Sequence, residues 1–594
     1  MVYCGKPSKG CQMCRTRRIK CDETKPTCNQ CAKARRQCPG YRDDFDIMLR
    51  NENRSAEMRA LKANDKRKRK PKPPSPPKDN NNKQLVALPS PIAALPIPTK
   101  DLATSHFISN FILLPSSPST QARGYMDFLI PLINTPDKTP SHLLHAFQAC
   151  ALASLGTRAQ SVSGQDPLHS ASLEYMKALQ ATQSALVSPA LCTSDSVLAA
   201  VLLLSTYENI TAPNGCAWGS HIQGAVQLVK ARGKKNLLAS KVGLQLFIAV
   251  RTQLIIQTLT SSTPPPLGPD WWSHPSAALD PHASHCQRLN LLTSQLRSEI
   301  VYAMSASRPP SHSTIRLLLS RAQDLDHQVD VWLSTLPASF RPTTVSFAPN
   351  ISTTASAADY RKMINFPGGR IDSYPDVWAA SVVNMARTTR LVLHSLIVRC
   401  AAWCVSPTDY RTTKEYVVAK RVCEEVISGI IASVGFCLGR GVGGKERNLG
   451  PGVGVLGGYL LTWPLSCVMG QDYASDAQRA YAIGRLKYIG DELGIRYSHI
   501  LAQLHVRVPS MLIRRDGLLA KPYPMAHDFE KLILGSGARD GPPVLSGYKL
   551  NPLQQREVMI MEEKEKGKNE LVKKAVGGAK EEEVVFAAKK MLVV

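Results

Sequence analysis

The chain has 594 residues, a hydrophobic fraction of 43% and a formal net charge of +27. This length allows several domains and a large core, and the positive charge favours anionic partners such as nucleic acid or a membrane surface. Much of the charge lies near the N-terminus, where residues 1–72 hold 21 Lys and Arg against 8 Asp and Glu. The sequence therefore predicts a basic binding segment joined to an ordinary globular body.

Two classes of protein are disfavoured by local composition. Residues 1–10 contain no apolar segment typical of a secretory signal, so we do not expect the 16 cysteines to form a disulfide framework. Residues 448–471 carry no charge but are rich in glycine and contain two prolines. This composition favours a glycine-rich loop leading into a buried helix, and we expect no membrane as a partner.

Six cysteines near the N-terminus form two copies of the pattern Cys-x2-Cys-x6-Cys, offset by 17 residues: Cys11, Cys14, Cys21, Cys28, Cys31 and Cys38. Zinc bound by thiolates is usually four-coordinate, so six sulfurs can hold two zinc ions if two sulfurs are shared. A zinc ribbon would give Cys21 and Cys38 no role, and a metal store would need no basic residues. The pattern therefore predicts a two-zinc module that binds DNA.

The intervals between these cysteines are basic. The first half carries Arg15, Arg17, Arg18 and Lys20, and the second half carries Lys33, Arg35 and Arg36. On a short helix these side chains spread over a wide arc, so some can reach base edges while others contact phosphates. We expect double-stranded DNA to be the partner of this segment.

The residues from Cys11 to Asp22, with Pro26, Cys28, Cys31 and Cys38, resemble the fungal binuclear zinc cluster transcription factors of the Zn(II)2-C6 type. The resemblance implies two Zn²⁺ per chain, bridged by Cys11 and Cys28. It implies that Cys14 and Cys21 complete one site, and Cys31 and Cys38 the other.

The same resemblance implies how the module reads DNA. It places the first helix in the major groove, with Arg18 as the main base-reading residue, Arg17 beside it, and Arg15 and Lys20 on phosphates. Many relatives read CGG triplets, and arginine can donate to O6 and N7 of guanine together. We therefore expect a CGG-like half-site. Many relatives carry lysine where this chain has Arg18, so its fine preference can differ from theirs.

A basic run follows at Lys66, Arg67, Lys68, Arg69 and Lys70. It is interpreted as a nuclear localisation signal, the alternative being a solvated linker charge that adds non-specific DNA affinity. A proline-rich stretch follows the run and is typical of an extended spacer. The few apolar residues between the cysteines and this run do not sustain a heptad pattern. Monomeric binding and a homodimer formed through the body therefore both stay open.

The body shows helical periodicity and no series of alternating strands. The pattern predicts apolar stripes that include Leu173, Met176, Leu179 and Leu186, a cap at Ser194 or Asp195, and a helix ending near Gly233. Phrases such as Trp218-Gly219-Ser220-His221 resemble the regulatory middle domain of the same fungal factors. His221 and Trp218 suggest a ligand site, but a packed helix with a satisfied histidine is favoured. The predicted domains are 8–42 (zinc cluster), 43–100 (linker), 101–535 (all-α regulatory domain) and 536–594 (charged tail).

No enzyme is expected. The glycine-rich segment 439–446 lacks the Ser or Thr that a phosphate-binding loop needs after Lys445, and it follows a helical pattern rather than a strand. His282, His285 and Cys286 lack a fourth ligand. The sequence predicts a nuclear, DNA-binding regulator of RNA polymerase II genes with co-regulator partners, its targets a secondary-metabolite gene cluster. The alternatives are a regulator of nutrient-use or stress genes, and a zinc or redox protein that binds no DNA.

Overall fold

The computed structural model describes residues 11–17, 19–24, 27–39, 98–115, 123–134, 139–158, 166–212, 217–273, 280–306, 309–351, 354–440 and 453–518. The chain divides into two compact units, residues 1–94 and 95–594. The predicted fold class is confirmed, because a small cysteine module precedes a body built almost entirely of helices.

The N-terminal unit contains two short helices, α1 (Gln12–Thr16) and α2 (Asn29–Lys33). Its buried core consists of four cysteines, Cys11, Cys14, Cys28 and Cys31, each with no exposed surface. Met13 is partly buried against them. A core this small gives little hydrophobic stabilisation, since burial contributes only about 25 cal/mol per Å² of apolar surface. The described residues of this unit therefore need another source of folding free energy.

The body contains helices of very different length. They are α3 (Thr99–Phe111), α4 (Leu129–Ile133), α5 (Ser141–Gly156), α6 (Pro167–Val187), α7 (Asp195–Thr211), α8 (Ala217–Arg232), α9 (Lys234–Leu238), α10 (Lys241–Ser261), α11 (Pro269–Trp272), α12 (Pro281–Ser305), α13 (His312–Ser334), α14 (Ala357–Lys362), α15 (Val377–Val405), α16 (Lys414–Cys437), α17 (Val453–Gly470), α18 (Asp476–Asp491), α19 (Tyr497–Ala502) and α20 (Ser510–Arg515). A 3-10 turn spans Tyr410–Thr412.

The helix ends follow the local sequence. The Ser194 hydroxyl accepts a hydrogen bond from the Val197 backbone N–H (3.3 Å), which confirms the predicted cap of α7. Asp280 and Asp376 cap α12 and α15 in the same way. Gly233 follows the last residue of α8 with φ +76°, a conformation that favours glycine, so the predicted end of this helix is also confirmed.

Two groups of helices pack around one continuous core. In the first group α7 packs against α5, α6, α8 and α10, and its residues Ser196–Ile210 are all buried. In the second group α15 packs against α12, α13, α16 and α17. Helix α10 contacts α12, and α17 contacts both α15 and α3, so these elements join the two groups.

A two-stranded antiparallel ribbon lies beside the second group. Strand β1 (Thr343–Phe347) pairs with β2 (Arg370–Ser373), with Thr343 opposite Ser373 and an irregularity between Thr344 and Ser346. The Thr344 hydroxyl donates to the buried Asp372 carboxylate (2.8 Å). Because β2 also contacts α16, this ribbon covers the helical core without forming a layer of its own.

The predicted stripe on α6 is wrong for its first two residues. Leu173 and Met176 are 51% and 56% exposed. The face that packs on α5 consists of smaller or polar residues, namely Ala171, Glu174, Ala178, Thr182 and Ala185. Because α5 is itself rich in alanine, the two helices approach closely, and large apolar side chains do not fit between them.

Two helices of the described residues, Lys241–Ser261 and Val377–Val405, are long and apolar enough to cross a membrane by length and composition. Both pack within the core of the body, with 50% and 78% of their apolar windows buried. The uncharged segment that the sequence singled out becomes helix α17 from Val453 onward, as predicted for a buried helix. Its residues Val455, Leu461 and Leu465 are buried.

Candidate metal centre and nucleic-acid interface

The structure brings all six predicted cysteines together. Two groups of four sulfurs form, and within each group all sulfurs lie within 4.8 Å of one another. The first group contains Cys11, Cys14, Cys21 and Cys28, and the second contains Cys11, Cys28, Cys31 and Cys38. Cys11 and Cys28 belong to both groups. The fold thus shares two sulfurs between two four-sulfur sites.

The distances between sulfurs fit zinc coordination. Cys11 Sγ lies 3.7 Å from Cys28 Sγ and 3.8 Å from Cys31 Sγ, and Cys14 Sγ lies 3.6 Å from Cys28 Sγ. A tetrahedron with zinc–sulfur bonds of about 2.3 Å has edges of about 3.8 Å. Four thiolates at this separation are the donor set of a closed structural zinc site, so the residues present fit the metal.

The backbone repeats the 17-residue offset of the sequence. In the first half the Cys14 N–H donates to Cys11 Sγ (3.4 Å), and in the second half the Cys31 N–H donates to Cys28 Sγ (3.3 Å). The carbonyls of Cys14 and Cys31 likewise accept from the N–H of the residue five positions later, at 3.1 and 3.0 Å. Each half therefore builds the same turn around its first two sulfurs.

The protonation of the sulfurs depends on their surroundings. Burial raises the pKa of the Cys14 thiol, and contact with the Cys28 thiol together with burial raises the pKa of Cys31 to about 12. Burial also opposes ionisation of Cys21, but backbone N–H donors from Cys11 and Glu23 outweigh it and lower its pKa to about 7. A metal cation replaces the protons of such thiols, so zinc binding releases protons and weakens as the pH falls.

Asp22 is a structural residue of the module whose role the sequence pattern did not reveal. One oxygen of its carboxylate accepts hydrogen bonds from the Asn29 N–H (3.1 Å) and the Thr24 hydroxyl (2.6 Å). The Thr24 hydroxyl and the Asn29 N–H hold the pKa of Asp22 below its usual range. Since Asn29 begins α2, Asp22 ties the first half of the module to the first turn of the second. An acidic residue directly after the third cysteine was the available signal.

The predicted DNA-binding residues are only partly described. Arg17, Lys20, Lys33, Arg35 and Arg36 are exposed around the sulfur core. Arg15 lies in α1, but its side chain is outside the described residues, as is Arg18. The predicted localisation signal, Lys66, Arg67, Lys68, Arg69 and Lys70, also lies outside the described residues. The described part of the module is thus a buried sulfur core with an exposed basic surface.

In the body, His221 is packed as predicted but is not fully satisfied, since its buried Nδ1 has no hydrogen-bond partner among the described residues. His221 has no exposed surface, and its Nε2 lies 3.2 Å from the hydroxyl of Tyr175, which in turn donates to Glu208 (2.5 Å). Burial lowers the pKa of His221 to about 4, so the ring is neutral near pH 7. His221 is thus a packed core residue.

The histidine and cysteine group between residues 282 and 286 of the sequence does not form a metal centre in the part of the chain that the structure describes. His282, His285 and Cys286 lie on α12, where the Cys286 thiol donates to the Val382 carbonyl (3.7 Å) and burial raises its pKa to about 12. They join no cluster of three or more metal-ligating side chains in this part of the chain. Residues 441–446 of the glycine-rich segment lie outside the described residues.

Comparisons with known proteins match both units. Residues 9–46 match the fungal Zn(2)-Cys(6) binuclear cluster domain, and residues 102–350 match the fungal specific transcription factor domain. No solved structure gives a significant match.

Relatives among characterised proteins fall into two kinds. White-opaque regulator 2 of Candida albicans is 47% identical over 49 residues, which are 8% of this chain and 11% of the relative. Transcriptional regulatory protein moc3 of Schizosaccharomyces pombe is 46% identical over 61 residues, 9% of this chain and 10% of the relative. Transcription factor dbaG of Emericella nidulans is 22% identical over 412 residues, 68% of this chain and 91% of the relative.

The short matches thus span about a tenth of each relative, whereas the weaker match extends over most of both chains. The match to the cluster domain precedes the match to the transcription factor domain in the chain. The chain thus contains two segments that match domains of fungal transcription factors, a Zn(2)-Cys(6) binuclear cluster domain followed by a fungal specific transcription factor domain.

Proposed function

We propose that the chain is a nuclear, sequence-specific regulator that binds a CGG-like DNA site through a module holding two zinc ions. The observation that carries the proposal is the pair of four-sulfur groups that share Cys11 and Cys28. Cys14 and Cys21 would complete one zinc site, and Cys31 and Cys38 the other. Zinc, when bound, supplies the folding free energy that the small core lacks, typically about 10–16 kcal/mol for a structural site.

The chain's own residues provide the contacts to DNA. Six thiolates around two divalent cations leave a net negative core, and the exposed Arg17 and Lys20 offset this charge while they face outward. Contacts to phosphates fix the position of the module, and contacts to base edges select the sequence. We assign base reading to Arg18 with Arg17 beside it, and phosphate contacts to Arg15 and Lys20.

The base-reading assignment is tested by gel shift with matched probes that carry CGG or a scrambled triplet. Arg18→Ala is expected to lower the preference for CGG about 10-fold, because a bidentate contact to guanine contributes about 1–3 kcal/mol of discrimination. Arg15→Ala is expected to weaken binding to both probes by a similar factor and to reduce its salt dependence. Retention of the full CGG preference by both variants would show that the assignment is wrong.

We further propose that the target genes belong to a secondary-metabolite biosynthetic cluster, a common role in the family that the chain resembles. Chromatin mapping of the promoters bound by the full chain tests this directly. Enrichment at nutrient-use or stress genes instead would replace the proposed target class and leave the DNA-binding proposal intact. The basic run at residues 66–70 is proposed as the nuclear localisation signal, and nuclear exclusion of a chain with these residues changed to alanine is the expected result.

A further inference from the structure

A cavity of about 140 Å³ lies in the body where the two helix groups meet. Its walls come from α7, α10, α12, α15 and α17 and from the segment that precedes α4. The volume is close to the roughly 150 Å³ of an engineered apolar cavity that binds benzene. The space therefore suits a molecule with a single six-membered ring.

Most of the lining is apolar, including Met126, Phe128, Leu202, Ile255 and Met385. Burial of a hydrocarbon ring against an apolar lining is favourable, whereas transfer of a charged group from water to such a lining is unfavourable. These residues come from four separate segments of the body, so the cavity is formed by the tertiary packing of the domain.

A few polar groups line two sides of the cavity and could orient a ligand. At one side the Asp127 carboxylate accepts a hydrogen bond from the Gln245 side-chain amide (2.5 Å). At another, Gln287 donates to the Thr252 hydroxyl (3.1 Å), and the guanidinium of Arg251, which is 2% exposed, donates to the Trp272 carbonyl (2.9 Å). A charged ligand would be attracted by one of these two groups and repelled by the other, and it would also lose its hydration in a mostly apolar cavity, so a neutral ligand is favoured.

The backbone beside the carboxylate is unusual. Met126 has φ +54°, in the left-handed region that non-glycine residues rarely adopt. Gly124 leaves room for the Asp127 carboxylate, since a Cβ at this position would overlap it. Such strained conformations occur often at ligand sites. The segment thus holds Met126 and Asp127 together in the cavity wall.

We propose that this cavity binds a small neutral organic molecule with one ring and one hydroxyl group, whose ring packs on the apolar lining and whose hydroxyl donates to Asp127. The family domain that contains Asp127 does not by itself assign such a ligand. All residues that line the cavity belong to the body, and none belongs to the cysteine module.

The test uses the full-length, zinc-loaded protein and measures saturation-transfer NMR together with the melting temperature of the body. The probes are phenol, benzyl alcohol and cyclohexanol, with benzoate and benzylamine as charged counterparts of similar size. We expect the neutral alcohols to give saturation transfer and a concentration-dependent rise in melting temperature, and the charged probes to bind at least 10-fold more weakly.

Two variants and a control locate the site. Ala249→Met places a longer side chain in the cavity wall and is expected to weaken benzyl alcohol binding at least 10-fold. Ala303→Met, on α12 at a half-buried position outside the lining, is expected to leave binding unchanged. Asp127→Asn is expected to reduce the discrimination against benzoate, because it removes the negative charge.

Two results would overturn the proposal: absence of binding by every neutral probe, or undiminished binding in the Ala249→Met chain. Both readouts are independent of DNA. A chain that binds the alcohols but fails the gel shift would therefore refute the proposed DNA function alone, and the reverse result would refute this inference alone.

Discussion

At the scale of single residues, the six sulfurs have unequal roles. Cys11 belongs to both four-sulfur groups, whereas Cys38 belongs to one. We expect Cys38→Ala to lower the zinc content from the proposed two ions per chain to about one, and Cys11→Ala to leave neither site complete. Elemental analysis of the purified proteins measures this, with Cys192→Ala in the body as the control. Equal losses in the two cluster variants would contradict the sharing of Cys11.

Asp326 offers a residue-scale test by pH. Burial would raise its pKa, but the close contact of His394 Nε2 with its carboxylate (3.1 Å) and the hydrogen bonds from Arg390 outweigh burial and hold the pKa at about 2. In an unfolded chain the pKa of Asp is about 3.9. The ionised carboxylate therefore contributes stability that is fully present above this pH and is lost as the pH falls towards 2. Asp326 lies on α13 and both partners lie on α15.

We expect Asp326→Asn to lower the free energy of unfolding by about 2 kcal/mol at pH 7, and the difference from the unchanged chain to shrink below about pH 4. Denaturant unfolding of the body at a series of pH values measures both. Asp324→Asn, at an exposed position on the same helix, is the control and should have little effect. A difference that stays constant with pH would show that the carboxylate charge is not the cause.

At the scale of elements, the packing of α17 on the end of α16 requires glycine. A Cβ at Gly457 would overlap the Cys437 carbonyl oxygen, whereas a Cβ at Gly470 would meet only ordinary contacts at 3.9 Å. Alanine normally favours a helix over glycine by about 1 kcal/mol. Gly457→Ala should nevertheless destabilise the body by about 1–3 kcal/mol, because the backbones must separate.

Gly470→Ala is the matched control at the other end of the same helix, and we expect it to be neutral or slightly stabilising. Thermal unfolding followed by circular dichroism separates the two variants. A melting temperature of the Gly457→Ala chain at or above that of the Gly470→Ala chain would contradict the close packing of α16 and α17.

Local sequence predicted elements better than it predicted their buried faces. Ser194 and Gly233 mark helix ends because capping and left-handed conformations depend on nearby residues. The buried face of α6 could not be read in this way. Its partner α5 is rich in alanine, and the contact between the two helices is made by small side chains. Ala178 is therefore buried while Met176 is exposed. Glu174 is also buried there because His145 lies 2.6 Å away, a contact between residues distant in sequence.

At the scale of the whole molecule, the two units draw their stability from different sources. The described core of the cysteine module is four sulfur-bearing side chains, whereas the body buries one continuous apolar cluster. We expect a zinc chelator to abolish DNA binding and unfold the module, and to leave the melting temperature of the body unchanged. Differential scanning calorimetry with and without chelator measures this. A body transition that shifts with zinc would show that the two units are coupled.

The sequence predicted the metal site of the cysteine module but not the cavity of the body. The spacing of the cysteines is a local pattern, and the coordination number of zinc turns it into a site. The cavity of the body is formed by residues such as Asp127, Leu202 and Met385, which are far apart in the chain. No local sequence pattern links these residues, so the cavity could not be predicted without the tertiary structure.

Because the two halves of the cysteine module are related by a 17-residue offset, equivalent positions of the two halves can be compared. Both halves fold the backbone in the same way, but their side chains differ. The first half has Arg15, Arg17 and Lys20 where the equivalent positions of the second half hold Ala32, Ala34 and Gln37. One framework is thus presented twice, once with these three cations and once without them. Exchanging Arg17 and Ala34 moves one cation to the equivalent position of the other half and keeps composition and net charge constant. Unchanged DNA affinity would mean that the position within the repeated turn determines the role of the cation. A loss of affinity would mean that the cation is needed in the first half.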